Sequence, residues 1–233
     1  MHLPSDIVCL LQDAFGVSLH LDDFLQVNER SAVCRAHAVD LGPRLAPARR
    51  LYAVSRRRVS PPSILLKFGE PRRLQREAKA LERMEQSKVP RVPRKVLAGT
   101  VCVGDATLHV LGVTFFEGTS LVSDDAALTA EGSRLLRETL RAIHDCGLVH
   151  RDVKPDNIVI TKEGTPILVD FDCAGDIGEK GFMGTSMWAS PKALLGLGAD
   201  PGDDFYSLER IPVLSGGVAH TTFTHSPPTP PKV

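Results

Sequence analysis

The sequence predicts an α+β chain in two parts: a strand-rich first part with one main helix, and a mostly helical second part built around a short hairpin. Three observations carry this reading. Apolar runs of strand length recur between Phe24 and Phe116, the strongest being Ile64-Leu65-Leu66-Lys67-Phe68. A single stretch in that region, about Arg72 to Met84, keeps helical spacing through Leu74, Ala78, Leu81 and Met84. After Gly118 the texture changes. Leu135, Leu136, Leu140 and Ile143 form a helical stripe, and Ile158 to Ile160 and Ile167 to Val169 flank the turn Lys162-Glu163-Gly164-Thr165.

Taken in order, residues 1–23 read as an N-terminal helical extension. Ser5 is placed as its N-cap, Ile7, Val8, Leu10, Leu11 and Phe15 fall at helical spacing, and Gly16 ends it. Residues 24–117 form the strand-rich part. Within it, residues 41–62 are rich in proline and arginine and read as an inserted loop with one strand at Leu51 to Val54. Gly69-Glu70-Pro71 ends the Ile64 to Phe68 strand and opens the helix. Pro90 and Pro93 separate that helix from strands at Lys95 to Val103 and Thr107 to Phe116, joined by Gly104-Asp105. Residues 118–212 form the second part, with Gly147 as C-cap glycine of a helix from Ser133 to Asp145. Residues 213–233 hold Gly216-Gly217, Pro227-Pro228 and Pro230-Pro231 without periodicity, and read as a disordered tail.

Lys plus Arg and Asp plus Glu total 28 each in 233 residues, so the formal net charge is zero. That balance offers nucleic acid or a membrane surface no electrostatic handle, and neither is expected as a partner. Cys9, Cys34, Cys102, Cys146 and Cys173 form no C-x-x-C pair, which argues against a zinc site or a disulfide framework. Met1 to Gly16 has no positive charge ahead of its apolar residues, and Val110 to Phe116 is too short to span a bilayer. The expectation is a soluble intracellular chain, cytoplasmic or nuclear.

The chemistry concentrates in His150-Arg151-Asp152-Val153-Lys154-Pro155-Asp156-Asn157, between a helix end and the hairpin, and in Val169-Asp170-Phe171-Asp172 after it. This order predicts that Asp152, Asn157 and Asp170 meet at the open end of the hairpin. Hard oxygen donors of that kind hold Mg²⁺, and a carboxylate among them can orient an attacking hydroxyl. The bland alternative is a polar turn.

These runs resemble the eukaryotic protein kinase family from about Leu25 to Glu209, most closely from His150 to Phe171. The resemblance implies a two-lobed protein-kinase-like fold, with residues 24–117 as N-lobe and 118–212 as an incomplete C-lobe. It implies Asp152 as catalytic base, Asn157 and Asp170 as Mg²⁺ ligands, and Lys154 at the γ-phosphate, a mark of the serine/threonine branch. Lys67 resembles the lysine that holds the α- and β-phosphates, with Glu77 as its partner. The plainer alternative is a solvated strand-end lysine, with Glu77 paired locally to Arg73 or Lys79. Around the nucleotide the resemblance puts Val33 and the hinge Phe115 to Glu117, with Phe116 and Glu117 meeting adenine. Gly184-Thr185 and Trp188-Ala189-Ser190-Pro191 look like the substrate-positioning end of an activation segment. Asp204 looks like the aspartate that braces the catalytic loop. Arg151 resembles the arginine that pairs with a phosphate on that segment, the acceptor candidates being Thr185, Ser186 and Ser190, and only a modest gain from phosphorylation is expected. ATP and Mg²⁺ are the implied cofactors, and a protein bearing serine or threonine is the implied substrate.

The pattern breaks in places. Gln26, Asn28 and Ser31 fill the three glycine positions of the phosphate loop when the chain is aligned on Val33. Leu65 replaces a small alanine, Asp172 a glycine and Lys192 a glutamate. Three readings follow: a serine/threonine protein kinase, a pseudokinase that binds or scaffolds, and a small-molecule phosphotransferase. The last is of the aminoglycoside or choline kinase type, which Val169 to Gly175 also resembles, as it does kinase-like proteins of fungi and oomycetes. Ile211-Pro212 is expected to stop the helix near Asp204 with no further apolar helix to follow. The Ser133 to Asp145 helix would then lie partly uncovered, and a stabilising protein partner is expected.

Overall fold

The computed structural model describes residues 24–26, 50–54, 64–103, 106–122 and 128–214. Strands β1 (Phe24–Gln26), β2 (Arg50–Val54), β3 (Ile64–Phe68), β4 (Lys95–Val103) and β5 (Ala106–Thr114) form one antiparallel sheet in the order β1-β2-β3-β5-β4. Tyr52 of β2 lies opposite both Gln26 and Leu66. The stretch read as an inserted loop therefore carries a strand in the body of the sheet. The strand read at Leu51 to Val54 is there, one residue longer at its start, and pairs with β1 on one side and β3 on the other. The predicted N-terminal helix lies outside the described residues.

β3 pairs with β5, which sets Lys67 opposite Leu111. Helix α1 (Pro71–Gln86) starts with Pro71 in its first turn, where a missing N–H costs nothing. It buries Leu74, Glu77, Ala78, Ala80, Leu81 and Met84, one stripe at helical spacing. Past α1, Arg91 adopts a left-handed backbone (φ +56°) and reaches the second part of the fold. Its Nε donates to Thr139 Oγ1 at 2.9 Å and its Nη2 to the Leu135 carbonyl at 3.0 Å.

β5 ends at Thr114, two residues before the predicted Phe116. Phe116 leaves the sheet to pack on Val159 and Ile167. β6 (Gly118–Ser120) then pairs with β9 (Ile158–Thr161), which pairs with β10 (Pro166–Leu168) as the predicted hairpin. A Cβ on Gly118 would stand 2.7 Å from the Ile160 carbonyl carbon, so only glycine permits this approach. β8 (Leu148–Val149) pairs with β11 (Gly175–Asp176) beside that sheet.

Strand β7 (Leu128–Thr129) leads into helix α2 (Ala130–Asp145). The helix begins one turn before the predicted Ser133 because Thr129 caps it, its Oγ1 accepting from the Gly132 amide at 2.9 Å. Gly147 (φ +80°) carries the chain past its end. The expectation that this helix stays partly uncovered is overturned. Leu136, Leu140 and Ile143 are at most 1% exposed. They share one core with Leu81 and Met84 of α1 and with Leu208 and Ile211. Leu208 comes from helix α4 (Pro201–Glu209), which follows the short helix α3 (Pro191–Leu194). The break at Ile211-Pro212 turns Ile211 inward. Val213–Leu214, assigned from sequence to the tail, then form strand β12, parallel to β7. The rest of that tail lies outside the described residues.

Apolar surface is exposed elsewhere, between residues 182 and 197. Met187 is 64% exposed, Leu195 73% and Leu197 64%, with Phe182 and Leu194 beside them in sequence also at the surface. No described helix is long and apolar enough to cross a membrane. Neither Cys146 nor Cys173 is part of a disulfide.

Candidate active site

Lys67 sits one residue before the end of β3, and Glu77 lies on the buried face of α1. Lys67 Nζ is 2.5 Å from Glu77 Oε1 and 3.0 Å from Asp170 Oδ1. Glu77 Oε1 also accepts from the Phe171 amide at 3.3 Å. Lys67 is only 9% exposed and Glu77 1%, so the lysine is not a solvated strand end. Arg73 reaches Asp172 across the fold rather than pairing with Glu77. Burial acts against the Lys67 ammonium, but the Asp170 and Glu77 carboxylates outweigh it and hold its pKa above the ordinary value.

The run 150–157 folds as a loop around Asp152. The Asp152 amide donates to His150 Nδ1 at 3.2 Å, which leaves His150 Nε2 as the donor to the Val169 carbonyl at 3.1 Å. His150 is fully buried and meets Phe171 edge-on at 4.6 Å, so its two nitrogens are spent on structure. Asp204 of α4 accepts from the His150 amide at 2.9 Å and the Arg151 amide at 2.8 Å. Those bonds hold Arg151 in a left-handed conformation (φ +69°), and Asp170 is held likewise (φ +66°). Non-glycine residues there cost roughly 1–3 kcal/mol each, a strain that surrounding structure must impose.

Both Asp152 oxygens are engaged. Oδ2 faces Lys154 Nζ at 2.8 Å and Asn157 Nδ2 at 3.2 Å, and Oδ1 accepts from the Thr185 amide at 2.7 Å. Lys154 Nζ also donates to Thr185 Oγ1 at 2.8 Å. Burial pushes the Asp152 carboxyl up, while Lys154 and Thr185 more than offset it and hold it below its ordinary value. Gly184 (φ +102°) permits this junction: a Cβ there would run into the Arg151 carbonyl and stand 3.2 Å from Asp152 Oδ1.

Among the described residues, no group of three His, Cys, Asp or Glu side chains makes a metal cage. Mg²⁺ does not need one, since it keeps several waters and takes one or two carboxylates. Asn157 spends its Nδ2 on Asp152, donating to the carbonyl at 2.8 Å, which leaves Oδ1 as a hard donor. With the Asp170 carboxylate, that donor set fits Mg²⁺.

Of the nucleotide residues named from sequence, Val33 lies outside the described residues. Phe116 is half-buried on the hairpin, and Glu117 is exposed and paired with Lys162 at 2.8 Å. Leu65 packs against the core. Lys192, in the glutamate position, pairs with Asp200, the N-cap of α4. Three links escaped sequence reasoning: the Thr185 amide on Asp152, Arg73 on Asp172, and Arg76 on Glu179. The arginines three residues apart on one helix were the available signal for the last two.

The protein kinase domain model matches residues 117–214. That stretch holds Asp152, Lys154, Asn157 and Asp170 in the geometry just described. This chain is related to the protein kinases. Among similar proteins, serine/threonine-protein kinase pkn2 of Myxococcus xanthus is 32% identical over 169 residues, covering 64% of this chain and 19% of that protein. Serine/threonine-protein kinase PknA of Mycobacterium tuberculosis is 42% identical over 83 residues, covering 32% and 19%. Probable serine/threonine-protein kinase PknB of Corynebacterium glutamicum is 32% identical over 120 residues, covering 46% and 18%. The chain spans about a fifth of the length of these curated relatives. Its α+β fold is kinase-like.

Proposed function

We propose that this chain transfers the γ-phosphoryl group of ATP to a serine or threonine hydroxyl of a protein. The observation that carries the reading is a pair of clusters: Lys67 with Glu77 and Asp170, and Asp152 with Lys154, Asn157 and Thr185. Lys67, charged and buried, binds the α- and β-phosphates. Asp170 and Asn157 would hold Mg²⁺, which when bound neutralises charge on the phosphates. Asp152 orients the acceptor hydroxyl and takes its proton at a carboxylate oxygen. Lys154, already shared between Asp152 and Thr185, offsets charge on the transferred group. The tie from Lys154 to Thr185 favours a serine/threonine acceptor over a small molecule, because it fixes the peptide-side segment to the reacting carboxylate.

The test is a γ-phosphate transfer assay on mixed protein substrates, with Asp152→Asn as control. Transfer by the unmodified chain and none by the variant supports the reading. Nucleotide binding without transfer by either points to a binding module. Transfer to an aminoglycoside or choline alone points to a small-molecule phosphotransferase.

A further inference from the structure

Helix α1 presents a row of arginines that the transfer chemistry does not use. Arg73 Nη1 lies 3.2 Å from Asp172 Oδ2, Arg76 Nη1 2.7 Å from Glu179 Oε1, and Arg83 Nη1 2.5 Å from Asp176 Oδ1. Glu179 also meets the loop around Asp152. Its Oε1 stands 3.2 Å from Arg151 Nη1, and its Oε2 accepts from the Asp176 amide at 3.3 Å.

The arrangement has the marks of a built site. The Arg151 side chain is 6% exposed, and its Nη1 makes no hydrogen bond, so the approach to Glu179 is a pure ion pair. A buried guanidinium needs a counter-charge, and Glu179 supplies it. Arg151 Nη2 donates to the Gly181 carbonyl, and Arg76 Nη1 also donates to the Ala174 carbonyl at 3.1 Å. A Cβ on Gly175 would collide with Glu179 Oε2 and stand 2.8 Å from Arg151 Nη1. The Glu179 backbone is fixed too, its carbonyl accepting from the Ala199 amide at 2.8 Å. Burial pushes the Glu179 carboxyl up, but Arg76 and then Arg151 outweigh it and keep the group ionised at neutral pH. Two of the segment's hydroxyls are committed elsewhere: Thr185 to Lys154, Ser190 to Asp203 and the Ala193 amide.

We propose that Glu179 is a positioning residue, a resident carboxylate that ties Arg76 of α1 to Arg151 and so holds segment 177–185 against Asp152 without any added phosphate. This rests on the kinase reading above. The test compares phosphatase-treated unmodified protein with Glu179→Gln, Glu179→Asp, Arg76→Ala and the Arg76→Ala/Glu179→Gln double variant. The readouts are kcat and KM for ATP, and amide hydrogen exchange over residues 177–185. Phosphatase-treated unmodified protein should keep its activity. Glu179→Gln should lose about tenfold or more in kcat with KM for ATP within about twofold, because Lys67, Glu77 and Asp170 are untouched. Glu179→Asp should fall between, and the double variant should be no worse than the weaker single, as expected of groups acting as one unit. Exchange over 177–185 should quicken about tenfold in Glu179→Gln. An unchanged kcat in Glu179→Gln, or loss of most activity on phosphatase treatment, overturns the proposal. If the unmodified protein transfers no phosphate at all, the kinase reading falls. Exchange then decides the tether alone: faster in Glu179→Gln upholds it, equal overturns it.

Discussion

Asp152 is held by Lys154 on one carboxylate oxygen and by the Thr185 amide on the other, so its orientation is set before any substrate arrives. Asp152→Asn should therefore cut transfer by about 10²–10⁴-fold, the usual worth of a positioned acid or base, while ATP binding by calorimetry stays near normal. Lys67→Met should act differently. It removes the charge proposed to hold phosphate and leaves Glu77 buried without its cation, so transfer and ATP affinity should fall together, with a lower Tm as well. Because the Asp152 carboxyl is held below its ordinary value, it stays ionised at and above pH 5, and a rate profile between pH 5 and 8 should show no break from this group. Lys67, Asp152, Asn157 and Asp170 were legible in the sequence because each sits in a short run of fixed order. Glu179 was not, since a lone glutamate in a glycine-containing loop has no periodicity, and its partners lie 28 and 103 positions away.

Among the elements, helices and hairpin were read well where the pattern was local. α1 and α2 declare themselves by an apolar stripe, and β9–β10 by two apolar runs about a glycine turn. What escaped were two- and three-residue strands such as β6, β8 and β11, which exist only because a partner strand lies beside them. β2, read at Leu51 to Val54, is present and one residue longer at its start. Caps are testable at this scale. Thr129→Ala removes the bond to the Gly132 amide and should cost about 1 kcal/mol, lowering Tm by roughly 2–4 °C in a chain of this size. Gly184→Ala should be more severe for transfer than for stability. It strains a left-handed residue by roughly 1–3 kcal/mol and pushes the Thr185 amide off Asp152.

At the scale of the molecule, one core runs from α1 through α2 to Ile211, so the two parts should unfold together. The pH response follows from Asp152 and Glu179, both with carboxyls held below the ordinary value in the folded chain. A depressed carboxyl contributes stability that is complete above the unfolded range of about 4 and is lost as pH falls through the lower folded value. Circular dichroism should therefore show melting temperature level from pH 6 to 8 and falling below about pH 4. The exposed Phe182, Met187, Leu195 and Leu197 invite self-association, and light scattering should drop when Leu195 and Leu197 are changed to serine. The parallel pairing of β12 with β7 has a different consequence. Val213 lies opposite Leu128 and Leu214 opposite Thr129, so the block from 128 to 214 starts and finishes at one spot. Chain ends that lie side by side let the path enter and leave such a stretch at one point, so a change in length between them disturbs little of what precedes or follows. The seam of that block is the two-residue bridge between β7 and β12, while its core stays shared with α1.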